Sequence, residues 1–365
     1  MPQSVPASAR LRWSTLRRST QVLVVLFVLL LLTGSLELLA RAYWSFGRGV
    51  PVWDMGRIWN AYYPELAVSG VERAPTSANH DAFEVLLLGG STMFLARDAL
   101  NAQLVPALER QTGRPVHLTN LAWVGRTSLD SRLKYEHVAD KRFDLVLVYD
   151  GFNDVRMNNC KPGTAFRRDY SHDPRYAELN ALARHREIGW FALPFTAEFV
   201  ASAVCQRLGL AVGPDKQWSA NARVETPASF EANLDAIART AARRGDRLVL
   251  MTFAYHLPAD YTDEAYLQRR LDYGDVFAPL YLWGERQTVA RAVEGHNDAI
   301  RRVAARHYVR LIDQAVQLVD GRRYFRDPCH LTDAGNARFV DNLIEGLKLK
   351  TPDRHASAHE ASRAR

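Results

Sequence analysis

Three apolar runs, each stopped by a glycine-bearing turn, limit the folds open to this chain. Phe83 to Leu88 stops at Gly89-Gly90, and Ser91-Thr92 follows at once. Val116 to Leu121 runs into Ala122-Trp123-Val124-Gly125, and Phe143 to Tyr149 into Asp150-Gly151-Phe152-Asn153-Asp154. Short apolar runs bounded by turn residues read as buried strands. Between the first two, Leu100, Leu104 and Leu108 recur at the spacing of one helix face, and Leu129 to Val138 follows the second as a further helix. That alternation predicts an α/β chain with a parallel, doubly wound sheet. Such sheets bind ligands at the carboxyl ends of their strands, where Ser91, Gly125 and Asn153 fall.

The pattern dissolves from Val155 to about Thr226, an insertion with one expected helix near Thr196 to Leu208. It resumes with a helix from Ser229 to Arg244, whose Phe230, Leu234 and Ile237 share a face, and a strand from Arg247 to Phe253. A second polar stretch, Ala259 to Arg286, precedes a helix from Val289 to Arg306, a strand from Val309 to Asp313 and a closing helix from Ala334 to Leu347. The polar tail, residues 351–365, is expected to be disordered.

Ahead of this pattern, Gln21 to Ala40 is nearly all apolar, with Glu37 its only charge. Twenty helical residues span roughly 30 Å, the thickness of a bilayer core. Arg10, Arg12, Arg17 and Arg18 precede the run, and only Arg41 and Arg48 follow it closely. The positive-inside rule then predicts a single-pass anchor at residues 21–40, a cytoplasmic segment 1–20 and a main body on the far side. A cleaved signal peptide is the competing reading, since Ala40-Arg41-Ala42 offers small residues for cleavage. Residues 41–81, rich in aromatics, Pro and Gly without clear period, read as a juxtamembrane linker.

The formal charge of +7 is accounted for largely by these basic flanks and by Lys348, Lys350, Arg354, Arg363 and Arg365 near the C-terminus. Zinc-finger spacing and basic helices with interleaved aromatics are absent from the sequence, so no nucleic-acid partner is expected. Cys160, Cys205 and Cys329 are too scattered for a disulfide framework or a metal site. In an oxidising compartment Cys160 and Cys205 could form one bridge; three unpaired thiols are the alternative.

Among the eleven histidines, His330 stands out because Asp327 precedes it by three residues. Side chains at i and i+3 of a turn can face each other. Asp327 can thereby fix the imidazole tautomer that leaves the other nitrogen free as a base. A serine hydroxyl needs such a base to become a nucleophile. Attack on an ester also makes an oxyanion, which requires preorganised donors. Ser91 N–H, Gly125 N–H and the Asn153 side-chain amide are the candidates. Other candidates are weaker: Arg126 for an anionic substrate group or simply a surface charge, Asp154 as a support of the Gly151 turn, and His256 as a pocket residue. The Cys329 side chain is expected to point away from His330.

Four blocks in this order resemble the SGNH hydrolase superfamily, the GDSL-type esterases and lipases: Gly89-Gly90-Ser91-Thr92, Asn120 to Gly125, Gly151-Phe152-Asn153-Asp154 and Asp327-Pro328-Cys329-His330. Gly90 departs from the Asp that many members carry there. The resemblance covers residues 82–350, with insertions at about 155–226 and 259–286. It implies a flavodoxin-like three-layer α/β/α domain, a catalytic set of Ser91, Asp327 and His330, and an oxyanion hole of Ser91, Gly125 and Asn153. It implies a serine esterase acting on short-chain acyl esters of a carbohydrate or lipid, without metal or cofactor. With the anchor, the expected place is a bacterial inner membrane with the catalytic domain in the periplasm, and O-acetylated envelope polysaccharide is the first substrate considered. An acyltransferase using the same triad is the alternative, and a non-catalytic carbohydrate-binding or assembly protein the third.

Overall fold

The computed structural model describes residues 17–77, 81–160, 165–208 and 223–348. The basic segment through residue 16 and the C-terminal tail lie outside the described residues. The chain divides into two compact units, one formed by residues 1–61 and 184–211 and the other by 62–183 and 212–365.

In the first unit the apolar run forms a helix, Arg18–Arg48, the one helix among the described residues long and apolar enough to cross a membrane. It continues well past Ala40 because Tyr43 and Trp44 turn onto a second helix, Leu193–Arg207. Trp44 stacks on Phe195 with centroids 5.4 Å apart, and its indole N–H donates to Thr196 Oγ1 at 2.8 Å. Gly49, with its φ of 69°, ends the long helix in a left-handed cap. Glu37 accepts from Ala192 N and Leu193 N, both at 2.9 Å, and so satisfies donors that the start of the second helix leaves unpaired.

The second unit is built on a five-stranded parallel sheet of order β2-β1-β3-β4-β5. The strands are β1 Phe83–Gly89, β2 Val116–Asn120, β3 Leu145–Tyr149, β4 Arg247–Met251 and β5 Arg310–Ile312. This is the flavodoxin-like order, and it reverses direction between β1 and β3. All seven β1 residues and all five β3 residues are buried, as parallel strands covered on both faces require. Their register pairs Val85 with Leu145 and Gly89 with Tyr149, so the two strands end side by side. Helices Ser128–His137, Thr226–Arg244 and Arg286–His307 pack together as one layer; Asp333–Leu347 and the segment Leu100–Thr112 belong to the other.

Several elements differ from the sequence reading for local reasons. Leu100, Leu104 and Leu108 are fully buried on one face, yet Leu100–Leu104 is a π-helical turn before the α-helix Val105–Thr112. Pro106 lacks the N–H that a regular ladder would use there. β4 stops two residues before Phe253 because the Asn297 side chain takes over the pairing. Its Oδ1 accepts from Phe253 N at 2.7 Å, and its Nδ2 donates to Phe253 O at 3.0 Å. The first insertion contains an additional helix, Pro174–Arg184, that buries Tyr176, Leu179 and Leu182. The stretch read as a linker holds short helical turns at Met55–Arg57, Ile58–Tyr62, Pro64–Val68 and Val71–Arg73.

Candidate active site

β1 and β3 end where the sheet reverses, and the two glycines after Leu88 let these ends approach closely. A Cβ on Gly89 would lie 2.8 Å from Tyr149 O, and one on Gly90 would lie 2.7 Å from Asn153 Nδ2. Gly90, the departure from the common Asp, is therefore a spatial fit to Asn153 in this chain. Ser91 begins the short helix Ser91–Leu95 directly after it. The first N–H groups of a helix have no intrahelical acceptor, so Ser91 N–H is available to a ligand.

Ser91 Oγ lies 2.7 Å from His330 Nε2, and His330 Nδ1 lies 2.7 Å from Asp327 Oδ2. Asp327 Oδ1 accepts from Cys329 N at 2.9 Å and from His330 N at 2.8 Å. Three N–H groups thus converge on one carboxylate, which places the imidazole proton on Nδ1 and leaves Nε2 to accept from the serine. Thr92 Oγ1 donates to Cys329 O at 3.2 Å and His256 N to Pro328 O at 3.1 Å, tying the Asp327–His330 turn to the helix after β1 and to the loop after β4. All three side chains of the triad are buried or nearly so.

Asn153 is held from both ends of its amide. Its Nδ2 donates to Arg126 O at 2.9 Å, leaving the second N–H uncommitted, and its Oδ1 accepts from the Trp283 indole at 3.3 Å. Gly125 has a φ of 73°, in the region open chiefly to glycine, and its carbonyl accepts from Arg156 Nη2 at 2.7 Å. Ser91, Asn153, Phe152, Phe253 and Cys329 line a pocket with room for about one water-sized group. Gly125 is not among its lining residues.

Cys329 differs from expectation: its Sγ sits 3.4 Å from His330 Nδ1. Asp327 Oδ1 gathers both adjacent backbone N–H groups, and this folds the cysteine back beside the ring. Burial, with Asp327 adding to it, pushes the thiol well above its ordinary range. Asp327, Cys329 and His330 bring potential ligand atoms within 4.8 Å of one another, a proximity the triad's hydrogen bonds already account for. No disulfide joins any of the three cysteines, so the considered Cys160–Cys205 bridge is not formed.

Arg126 is not a surface charge. It is buried, and its Nε and Nη2 donate to the two oxygens of Glu65 at 2.7 and 2.8 Å. Lys134, fully buried, adds a contact to Glu65 Oε1 at 3.2 Å. Glu65 therefore anchors the residue whose carbonyl holds Asn153. Glu65→Ala would leave two buried cations without their carboxylate. Removing one partner of a buried pair costs about 3–5 kcal/mol, so the thermal midpoint should fall steeply; an unchanged midpoint would show the cluster to be dispensable.

Asp154 meets Ser128 N at 2.9 Å, Ser128 Oγ at 2.6 Å and Tyr170 OH at 2.9 Å instead of the Gly151 turn. The Gly151 carbonyl is met by His296 Nδ1 at 2.7 Å. His256 packs between Tyr273 and Phe325, and burial lowers its pKa. Burial also pushes Asp150 up to about 7, reinforced by the neighbouring Asp154, which rises to about 6. Although burial opposes it, Asp130 is held well below the usual carboxylate range by Arg175 and Arg126. The folded state thus binds protons at Asp150 that the unfolded chain has released. From about pH 4, the ordinary carboxyl range, to about 7, this contribution to stability is lost as pH rises. Asp150→Asn should flatten the decline of the thermal midpoint over that window, and an unaltered slope would contradict the assignment.

No protein-family model matches the chain, and no curated protein does. Among solved structures, a GDSL-like lipase from Bacteroides thetaiotaomicron is 13% identical at a TM-score of 0.43, over 78% of this chain and 98% of its own. An alpha/beta hydrolase enzyme from a Lake Arreo metagenome is 15% identical at 0.41, over 72% and 94%. A variant of an acetyl xylan esterase from Geobacillus stearothermophilus is 13% identical at 0.38, over 73% and 95%. Likenesses of this size carry no argument about the chemistry, which rests on the residues at the strand ends.

Sequence reading missed Glu65, Arg156 and Trp283. Arg156 follows Asn153 by one helical turn, a spacing that could have flagged it. Glu65 and Trp283 sit in segments without periodicity and had no such signal.

Proposed function

We propose that this chain is a membrane-anchored serine esterase of the SGNH type that hydrolyses short-chain acyl esters. The observation that carries the reading is the unbroken contact from Ser91 Oγ through His330 to Asp327, at the point where the sheet reverses. In the reaction, Ser91 Oγ attacks the ester carbonyl carbon as its proton passes to His330 Nε2. Asp327 stabilises the imidazolium. The oxyanion is met by Ser91 N–H, the uncommitted N–H of Asn153 and Gly125 N–H. Collapse breaks the ester C–O bond, His330 protonates the departing alcohol, and the acyl group stays on Ser91. Water, deprotonated by His330, then attacks the acyl-enzyme; the acyl–Oγ bond breaks, His330 returns the proton to Ser91 Oγ, and the acid is released.

The basic residues ahead of the apolar helix support a cytoplasmic N-terminus, an anchor in the bacterial inner membrane and a catalytic domain in the periplasm. O-acetylated envelope polysaccharide is then the substrate to test first. Purified full-length protein should release acetate from such a polymer. Net acetyl incorporation from a donor ester into the polymer would instead identify a transferase.

Asn153→Ala is expected to raise the barrier by ~2.7–4 kcal/mol, on the order of 100–1000-fold in kcat, with folding intact. Turnover at the wild-type level would remove Asn153 from the oxyanion hole.

A further inference from the structure

Along the helix Arg18–Arg48 the continuous exposed apolar surface gives way to packing near Ala40, beyond which Tyr43 and Phe46 still present exposed rings. Large apolar side chains from Val22 to Leu39 are exposed, and the first buried residues are Ala40 and Trp44. Arg41 sits at this boundary and gathers three partners. Its Nε meets Glu37 Oε1 at 2.6 Å, its Nη1 donates to Val52 O at 2.8 Å, and its Nη2 donates to Trp190 O at 2.6 Å. Two segments distant in sequence are thereby drawn to one height on the helix. Each presents bare aromatic surface there: Trp53 is 84% exposed, Trp190 79% and Phe191 59%.

We infer that Trp53, Trp190 and Phe191 form an aromatic collar that lies in the headgroup region of the lipid bilayer at the outer end of the anchor helix. The inference rests on reading that helix as membrane-spanning. Arg41 ties both segments to the helix at the end of its exposed apolar stretch, so the lipid that covers the helix reaches the collar. Tryptophan is favoured at this depth because its ring is amphipathic. The polar groups of the same segments are already paired within the unit: Val52 O and Trp190 O to Arg41, and Ala192 N and Leu193 N to Glu37. That internal pairing is what a medium short of water demands. Glu37, an odd charge for an apolar run, thus serves the loop that carries two of the three rings. The collar fixes the depth of the helix, since a shift either way would move the rings out of the interface.

The test uses full-length protein with Cys205→Ser, reconstituted in vesicles of phosphatidylcholine and phosphatidylglycerol. An environment-sensitive fluorophore is attached at Trp53→Cys, Trp190→Cys or Leu29→Cys, one at a time; Cys160 and Cys329 are buried. Lipids carry a nitroxide near the headgroup or near the bilayer centre. The labels at 53 and 190 should emit at shorter wavelength than in buffer and lose most fluorescence to the shallow nitroxide. The label at 29 should lose most to the deep one. Labels at 53 and 190 that neither nitroxide quenches, with 29 still deep, would overturn the collar alone, whether water or another protein surrounds them. Quenching at 53 and 190 by the deep nitroxide as strong as at 29 would overturn it too. A label at 29 that no nitroxide reaches would overturn the anchor and the collar together.

Discussion

Ser91→Ala is expected to lower ester hydrolysis by on the order of a millionfold, the loss seen when the nucleophile of a serine triad is removed. The substitution deletes one oxygen whose side-chain partner is His330 Nε2 at 2.7 Å. It adds no atom where the strand ends crowd, and it leaves the Ser91 backbone N–H in place. The variant should therefore fold with an unchanged thermal midpoint while losing both turnover of an acetyl ester and labelling by a serine-directed fluorophosphonate. Residual hydrolysis would come from the oxyanion donors and from binding. Wild-type labelling that survives in the variant would mean that another serine is the nucleophile. A wild type that the probe does not label, under conditions that label a related esterase, would favour the carbohydrate-binding or assembly reading.

The parts of this site that were legible in the sequence are those held by short-range rules. Strand ends announce themselves because a buried apolar run must stop, and Gly89-Gly90 and Gly151 mark the stops. Asp327 and His330 are three residues apart, so one turn brings them together. Gly90 could be noticed as unusual but not explained, because the atom that excludes a side chain there belongs to Asn153, in the turn that follows β3. The supports of Asn153 were hidden for the same reason. Trp283 lies 130 residues from it along the chain, and Glu65 lies 61 residues from Arg126. No periodicity encodes a pairing made only after the chain folds. Cys329 shows the limit at the shortest range: its side chain was expected to point away from His330, and the backbone bonds to Asp327 turn it toward the ring.

Asp327→Asn is expected to cost ~10,000-fold in kcat, by the tautomer argument that applies to triads of this kind. An asparagine keeps one carbonyl oxygen, which can still accept from Cys329 N and His330 N, now at 2.9 and 2.8 Å. The turn that carries His330 should therefore persist. The amide nitrogen, however, replaces the oxygen that faces His330 Nδ1 at 2.7 Å. Two donors cannot share that contact, so the imidazole moves its proton to Nε2 and accepts from the amide at Nδ1. A protonated Nε2 cannot take the Ser91 proton. The variant should thus melt as the wild type does and lose turnover, and the ring should show the altered tautomer in its nitrogen-15 chemical shifts. Turnover close to wild type with the tautomer changed would separate the ring's orientation from its function as base. Wild-type turnover with the tautomer unchanged would show that Asp327 does not set the proton position, and the contact between Cys329 Sγ and Nδ1 would then become the group to examine.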